Sequence, residues 1–262
     1  MKAPQHIFAH WKDVERKIRH AGSIAFFSDF DGTLARIRRH PDQAKLSPRV
    51  RRLVRRIADS SSIAGVVSGR KVADVRRRVG LGHLWYAGSH GFFLRDPSNR
   101  SFSLLTLKQR DCIRMMRGVL ARDLRRIPGL LLEPKEATIA VHYRNAPSHS
   151  RNIARGVIAE LLERCPGASL LSGKKVWELL PDSRIDKWAA ISFILQRKRI
   201  LHPGGRWLII FLGDDATDER VFQRMRGISI AVGKKSNTAA RYYLRSPAEV
   251  VHFLERLTEA MG

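Results

Sequence analysis

The sequence predicts an α/β fold in which helices cover both faces of a parallel sheet, interrupted by a compact α+β insert. Short apolar runs alternate with amphipathic helical patterns at both ends of the chain. This rhythm changes near residue 95 and returns after Pro181. The chain has 262 residues, 44% of them hydrophobic, which is enough for a sizeable core. We expect a core of residues 1–95 and 181–262, with residues 96–180 inserted.

The first part of the core begins with an amphipathic pattern that predicts a helix over residues 6–20. Ser47 and Pro48 open a second helix, as an N-cap and a first helical residue. A third helix carries Val72, Val75 and Val79. The predicted strands between these helices are residues 23–28, 63–67 and 84–87.

The insert and the last part of the core contain two different patterns. In the insert we expect helices over residues 108–126 and 148–164 and strands over residues 137–143 and 176–180. After Pro181 the alternating pattern predicts helices over residues 185–196 and 247–260 and strands over residues 207–212 and 228–232. No internal repeat or low-complexity tract is present.

The chain is strongly basic, with 49 Lys and Arg against 24 Asp and Glu and a net charge of +25. Such a charge attracts polyanions and small phosphorylated substrates. However, the basic residues are scattered, and many recur at helical spacing beside apolar residues, which favours solvated helix faces. Examples are Arg51-Arg52, Arg55-Arg56 and Arg76-Arg77-Arg78. A polyanion-binding protein therefore remains the alternative from another functional class.

Cys112 and Cys165 are far apart and show neither metal-binding nor redox spacing, so we expect structural residues in a reducing compartment. The first twenty residues are rich in charge, and no apolar leader precedes the first strand. The longest apolar runs are too short to cross a bilayer. We expect a soluble cytoplasmic protein without a membrane span, and we favour a monomer.

The segment Asp29-Phe30-Asp31-Gly32-Thr33 follows a buried strand. Residues two apart in an extended chain point the same way, so both carboxylates and the Thr33 hydroxyl can converge at the strand end. Paired carboxylates suit phosphoryl transfer, in which one attacks phosphorus and the other exchanges a proton. The alternative is a turn with two solvated aspartates.

Two further strand ends carry polar groups. Ser68-Gly69-Arg70 offers a hydroxyl and a guanidinium for phosphate oxygens, although it also fits an ordinary helix cap. Asp214, Asp215 and Asp218 follow another strand, where an acidic helix start is the alternative. Hard oxygen ligands from two strand ends predict Mg²⁺ as the cofactor.

These segments, taken with Lys187, resemble the four ordered motifs of haloacid dehalogenase-superfamily phosphatases. In more detail the chain resembles the trehalose-6-phosphate phosphatase family over roughly residues 26–232. The additional matching segments are residues 40–44, 88–91, 140–144 and 173–178. This resemblance implies a Rossmann-like, doubly wound parallel core and makes the insert a cap domain that closes over a sugar.

The resemblance also assigns roles in the core. Asp29 would be the nucleophile that forms an aspartyl-phosphate, and Asp31 the general acid and base. Mg²⁺ would be held by the Asp29 carboxylate, the Asp31 carbonyl and Asp214. The supporting residues would be Asp215 near the metal, Thr33, Ser68 and Gly69 at the phosphate, Lys187 against the nucleophile, and Asp218 against Lys187.

For the sugar, the resemblance points to a set of polar residues: Arg70, Ser89 and His90 in the core, and Lys135, His142, Arg144 and Glu178 in the cap. The cap positions also have structural interpretations. His142 and Tyr143 could belong to a satisfied cap sheet, and Lys135 could form a surface ion pair with Glu136. An unpaired buried Glu178 would be costly, which favours a functional role.

Two positions depart from the family pattern. Trp188 stands where the family usually has Gly after the lysine, and Leu180 stands where a basic residue is usual. These changes bear on sugar choice more than on chemistry. We therefore expect a Mg²⁺-dependent hydrolase of trehalose 6-phosphate in trehalose biosynthesis, with another sugar phosphate, such as glucosylglycerol phosphate, as the alternative substrate. The expected partner is this small molecule, and nucleic acid is not expected despite the charge.

Overall fold

A computed structural model describes residues 3–38, 40–173, 175–182, 184–201, 207–233 and 237–262. Its elements are, in chain order, β1 (Gln5–His6), α1 (Trp11–Arg19), β2 (Ile24–Ser28), α2 (Pro48–Ser60), β3 (Ile63–Val67), α3 (Val72–Val79), β4 (Trp85–Gly88), β5 (Phe93–Arg95), β6 (Ser101–Ser103), α4 (Leu107–Leu124), β7 (Leu131–Pro134), β8 (Ile139–His142), α5 (Ser148–Arg164), β9 (Ser169–Gly173), β10 (Val176–Leu180), α6 (Lys187–Leu201), β11 (Leu208–Gly213), α7 (Glu219–Arg224), β12 (Gly227–Val232), β13 (Tyr242–Leu244) and α8 (Pro247–Met261). None of the described helices combines the length and the apolar character needed to cross a membrane.

The chain forms two compact units. The first, called the core unit below, contains Met1–Phe102 and Asp186–Gly262, and the second, called the inserted unit, contains Ser103–Ile185. The domain limits placed by the sequence after residues 95 and 180 lie a few residues before these limits. As boundaries of separate domains they stay a prediction.

A nine-stranded sheet organises the core unit in the order β1-β13-β12-β11-β2-β3-β4-β5-β6. In this spatial order the first seven strands, which run from β1 at the edge to β4, are parallel to one another, and β5 pairs antiparallel with β4. The predicted α/β fold with a parallel core is confirmed. Strands β11, β2 and β3 lie side by side, so their carboxyl ends meet at one edge, where open α/β sheets bind ligands.

Helix α2 shows how the local sequence builds this core. The Ser47 hydroxyl caps the helix by accepting from the Val50 amide, and Pro48 is its first residue. Its apolar face is buried with the apolar side chains of α3 and α8. The helix expected over residues 6–20 is wrong at His6, which pairs with β13; Ile7–His10 then form a 3-10 helix, and α1 follows from Trp11. The strand partner outweighs the local helical pattern there.

The inserted unit has an antiparallel sheet in the order β7-β8-β10-β9, together with α4 and α5. The sequence pattern predicts β8 and β10 but not the edge strands β7 and β9. These edge strands are mostly exposed and contain Pro134 and Gly173, which weaken a strand pattern.

Cys112 of α4 and Cys165 at the end of α5 form a disulfide. Sequence spacing gave no sign of this pairing, because helix packing alone brings the two residues together. The cysteines are structural, as expected, but disulfides persist mainly in oxidising environments, so the pair does not support the reducing compartment. The cytoplasmic location stays a prediction.

Candidate active site

Two acidic segments meet at the carboxyl edge of the core sheet. Strand β2 pairs with β11, and the Asp29 amide donates to the Leu212 carbonyl at 2.8 Å, which places Asp29 beside Gly213. Gly32 has a φ of +78°, and a β-carbon there would overlap the Asp214 carboxylate. Only glycine permits both this backbone conformation and this approach. The turn after β2 therefore brings the two strand ends into contact.

Lys187, the first residue of α6, lies at the centre of the acidic cluster. Its side chain is 2% exposed, and its Nζ lies 2.8 Å from Asp29 Oδ1 and 2.7 Å from Asp218 Oδ1. Asp215 is more distant at 3.8 Å. Asp218 also accepts from the Asp215 amide through its other oxygen. The ammonium thus holds the predicted nucleophile against a fully buried carboxylate.

Burial and charge set the protonation of this cluster. Burial raises the pKa of Asp29 well above its ordinary value, although Lys187 opposes the shift. Burial likewise raises the pKa of Asp218 to about 6, again against Lys187. Burial alone would lower the pKa of Lys187, but the neighbouring carboxylates raise it, so it stays an ammonium. At Asp215, burial would raise the pKa, but Lys187 and bonds from Thr217 lower it to about 2.

Asp29, Asp214 and Asp218 each offer an oxygen, and these oxygens lie within 4.8 Å of one another. Carboxylate oxygens are the ligands that Mg²⁺ prefers. One ammonium does not balance several carboxylates, and their burial makes the excess negative charge costly. A divalent cation would supply the missing positive charge, so the residues fit a metal of this kind.

Asp31, the predicted acid and base, is held by Arg70. The guanidinium donates from Nε to Asp31 Oδ2 at 2.6 Å and from Nη2 to Oδ1 at 2.7 Å. Asp74 in α3 accepts from the third nitrogen of Arg70 at 3.1 Å. This bidentate geometry orients both side chains. Arg70, expected at the phosphate or sugar, is thus placed against the second aspartate.

The predicted phosphate-binding groups gather around the same strand ends. The Thr33 hydroxyl is buried and has no hydrogen-bond partner among the described residues. Such an orphaned donor is rare unless a ligand satisfies it. Ser68 is 1% exposed, and its hydroxyl accepts from the Arg70 amide. The chemistry of these two hydroxyls fits a phosphate oxygen acceptor.

Backbone hydrogen bonds connect the Ser89-His90 segment to the Ser68–Arg70 segment. The His90 amide donates to the Ser68 carbonyl, and the Ser89 amide donates to the Arg70 carbonyl. Ser89 and His90 have φ values of 50° and 60°, a left-handed conformation that non-glycine residues adopt at a cost. A β-carbon at Gly69 would crowd the His90 ring. The strain is concentrated where two predicted binding segments meet.

In the inserted unit, Glu178 of β10 is almost fully buried but has partners. Its Oε1 accepts from Thr138 Oγ1 at 2.6 Å and from Lys135 Nζ at 3.1 Å. The cost of burying an unpaired carboxylate, which pointed to function in the sequence, is therefore offset by these two donors. Lys135 pairs with Glu178 across the sheet, whereas the sequence analysis offered Glu136 as its partner.

The same sheet carries further polar and aromatic groups. His142 Nε2 lies 2.8 Å from Glu133 Oε2, and the rings of Tyr143 and Trp177 stack with centroids 4.0 Å apart. Arg144 is exposed at the end of β8. Trp177 is buried and, as the neighbour of Glu178 in β10, lies on the opposite face of the sheet from that carboxylate. Lys174, part of the matching segment 173–178, lies outside the described residues.

Sequence reasoning missed three residues that position the candidates: Asp74, Glu133 and Thr138. Asp74 lies in the first turn of a short basic helix, where an acidic residue is common because it offsets the helix dipole. Glu133 belongs to an edge strand that was not predicted. Thr138 reads as an ordinary strand residue, and only the register of β8 against β10 reveals its contact with Glu178.

Comparison with known proteins identifies the relatives. The trehalose-phosphatase family model matches residues 27–248. A probable trehalose-phosphate phosphatase 4 of Oryza sativa is 34% identical over 244 residues, covering 90% of this chain and 66% of that protein. A Mycobacterium bovis trehalose-phosphate phosphatase is 36% identical over 251 residues, covering 90% and 62%. The chain therefore spans less than two thirds of these curated relatives. An Aspergillus fumigatus trehalose-6-phosphate phosphatase structure matches with a TM-score of 0.77 at 25% identity, covering 99% of this chain and 100% of that one.

Proposed function

The chain belongs to the trehalose-phosphatase family, and we propose that it hydrolyses trehalose 6-phosphate to trehalose and inorganic phosphate. The observation that carries this proposal is the buried contact of Lys187 with Asp29 and Asp218, next to Asp214. Such a cluster is costly to maintain unless it binds charged ligands. A polyanion-binding protein has no use for it, because carboxylates repel phosphate without a cation.

In the proposed reaction, an Asp29 carboxylate oxygen attacks the phosphorus atom, and the bond from phosphorus to the sugar oxygen breaks. Asp31 gives a proton to the departing sugar oxygen, which leaves as a hydroxyl group. It then takes a proton from water, which attacks the aspartyl-phosphate, releases phosphate and restores Asp29. Arg70 donates to one lone pair on each oxygen of Asp31, so the proton that Asp31 carries occupies a second lone pair. Lys187 keeps Asp29 oriented and offsets the negative charge.

The proposed cofactor is Mg²⁺. Asp29 and Asp214 would hold it together with the Asp31 carbonyl, with Asp215 in support, and Asp218 is a further carboxylate of the cluster. When bound, the cation would offset charge on the nucleophile and on the phosphate oxygens. Thr33 and Ser68 would donate hydrogen bonds from their hydroxyl groups to the phosphate oxygens.

We assign sugar recognition to the polar face of the inserted unit. A disaccharide carries many hydroxyls, each of which needs a partner when it is buried. Glu178, Lys135, His142 and Arg144 provide acceptors and donors for these hydroxyls. The core residues Ser89 and His90 complete the proposed set. The monomeric state stays a prediction.

The test is the rate of phosphate release from trehalose 6-phosphate, glucosylglycerol phosphate, glucose 6-phosphate and an aryl phosphate, with Mg²⁺ and with a chelator. We expect metal-dependent turnover with a clear preference for trehalose 6-phosphate, and an Asp29→Asn protein as the inactive control. Preference for another sugar phosphate would keep the chemistry and overturn the substrate. No turnover of any ester would overturn the proposed activity.

A further inference from the structure

Positive charge is concentrated on two neighbouring helices of the core unit. Together α2 and α3 carry eight arginines and only two aspartates. These helices connect β2 to β3 and β3 to β4, which are adjacent parallel strands. Successive right-handed crossovers in one direction place both helices on one face of the sheet. The proposed phosphatase reaction does not use this face.

A cavity of about 370 Å³ lies at the end of α3. Its lining consists of Ala73, Arg76, Arg77, Gly80, Leu81, Gly82 and Arg95. Arg51 of α2 adjoins it, because its guanidinium carbon lies 3.6 Å from the position a β-carbon would take on Gly80. We call Arg51, Arg76, Arg77 and Arg95 with this cavity the arginine pocket. Its volume lies within the range of small-molecule sites.

Little acidic charge balances the arginine pocket. Arg77 pairs with Asp74 at 2.6 Å, but Asp74 is shared with Arg70 and Arg78. Arg95 donates to the Ser101 hydroxyl at 3.3 Å. Among the described residues Arg51 and Arg76 have no ion-pair partner, and the Nε of Arg51 is buried without a hydrogen-bond acceptor. A buried guanidinium nitrogen of this kind needs an acceptor.

The position of the arginine pocket separates it from the catalytic edge. Helix α3 begins after the carboxyl end of β3 and ends at Val79, ahead of the amino end of β4. The end of α3 therefore lies toward the opposite edge of the sheet from Asp29. The negative end of the helix dipole also favours cations there, which helps to keep several arginines together.

We propose that the arginine pocket binds a small multivalent phosphate anion carrying two or three linked phosphoryl groups. Guanidinium groups match phosphate oxygens in a bidentate fork, and several of them together favour a ligand with more than one phosphoryl group. The cavity is open to solvent, and its small volume fits a small molecule. The excess charge that the sequence attributed to solvated helix faces is, at this position, part of a concave site.

The test measures binding of inorganic tripolyphosphate and of orthophosphate to the full chain by calorimetry, without divalent metal and at constant ionic strength. The pocket variant is Arg76→Gln/Arg95→Gln, and the matched control is Arg199→Gln/Arg226→Gln, which removes two exposed arginines elsewhere in the core unit. We expect the pocket variant to weaken tripolyphosphate binding about tenfold or more, since each guanidinium supplies charge-assisted bonds. The control should change it less than about twofold, as screened surface charges contribute little. Anion binding at the catalytic edge is common to all three proteins and cancels from the comparison.

Unchanged melting temperature and phosphate release in both variants would show that the loss is local. Equal weakening in the two variants would overturn the proposal, because net charge alone would explain it. Tripolyphosphate binding that is no tighter than orthophosphate binding in the wild type would also overturn it. The proposal would likewise be overturned if the wild-type protein bound a single-stranded oligonucleotide tightly but did not bind tripolyphosphate.

Discussion

Two lysines in this chain each pair with carboxylates, and their surroundings differ. Lys187 in the core unit is 2% exposed and contacts Asp29 and Asp218, whereas Lys135 in the inserted unit is 35% exposed and contacts Glu178. The buried cluster carries a large desolvation cost and has one fixed geometry. In the inserted unit only the lysine is partly exposed, since Glu178 is almost fully buried, so water screens this pair in part. Under the proposed function, the chemistry uses the fully buried cluster and sugar recognition uses the partly exposed pair.

The largest expected effect comes from Asp29→Asn. An amide cannot attack phosphorus, so we expect phosphate release to fall about 10⁴-fold or more. The melting temperature should not fall, because burial already raises the pKa of Asp29 and so disfavours its charged form. Steady-state phosphate release and thermal unfolding check these two expectations. Measurable turnover in the pure variant would remove Asp29 from the role of nucleophile.

The comparison of the two lysines is tested directly by Lys187→Met and Lys135→Met. Lys187→Met leaves two buried carboxylates without their cation, which costs about 3–5 kcal/mol of unfolding free energy. It should also lower phosphate release about 10³-fold. Lys135→Met should change the free energy of unfolding by less than about 1 kcal/mol, because the Lys135 side chain is partly exposed.

The pH dependence of Lys187→Met supplies a second measurement. Asp218 already has a pKa raised to about 6, and loss of the ammonium raises it further. The folded variant then holds protons that the unfolded chain releases at neutral pH, so its stability rises as the pH falls from 8 toward 5. Denaturant unfolding at these two pH values checks the sign. Equal losses of unfolding free energy in Lys187→Met and Lys135→Met would refute the proposed difference between the two units.

The same contrast explains what the sequence could predict. Asp29, Asp31 and Asp214 are found from sequence because they follow short apolar runs, and parallel strands bring such ends together. The Arg70 contact with Asp31 was not predicted, because it depends on how a side chain reaches across from β3 to β2. Similarly, the Cys112–Cys165 disulfide depends on helix packing, which no spacing rule encodes.

The core unit offers a finer test at Arg70. Arg70→Lys keeps the charge but loses the bidentate grip on Asp31, so we expect a fall in kcat/KM of about tenfold to a hundredfold. Arg77→Lys is the matched control, since Arg77 contacts Asp74 from the same helix but makes no recorded bond to Asp31. We expect this control to retain nearly full activity. Parallel losses in both variants would mean that Asp74, and not the grip on Asp31, is what matters.

In the inserted unit, Glu178→Gln should separate two substrates. The amide keeps one acceptor for Thr138 but loses the charge that holds Lys135. We expect kcat/KM for trehalose 6-phosphate to fall about tenfold, the usual effect of disturbing a buried charged hydrogen bond. The value for an aryl phosphate, which has no sugar hydroxyls, should stay within about twofold of the wild type. Equal losses on both esters would count against sugar recognition by this face.

The smallest expected effect concerns Asp182, a buried carboxylate of the inserted unit. It tests whether this unit also contains a rigid buried cluster, apart from the residues proposed for the sugar. Asp182 is buried, accepts from Gln109 and from the Arg184 amide and side chain, and so has a pKa below its ordinary value. The Asp182 carboxylate therefore stabilises the folded protein at pH values above 3.8, the pKa of an aspartate in the unfolded chain. This contribution is lost as the pH falls through the lower pKa that Asp182 has in the folded protein. Asp182→Asn should therefore lower the melting temperature by a few degrees at pH 7, with a smaller difference near pH 3.

Asp123→Asn is the matched control in the same unit. Asp123 also has a lowered pKa, through the side chain of its neighbour Arg122, but this pair is exposed on α4. Solvent screening should leave its melting temperature unchanged at either pH. If both variants melt like the wild type, burial does not strengthen the Asp182 contacts, and the inserted unit lacks the rigid kind of cluster that Lys187 organises in the core unit.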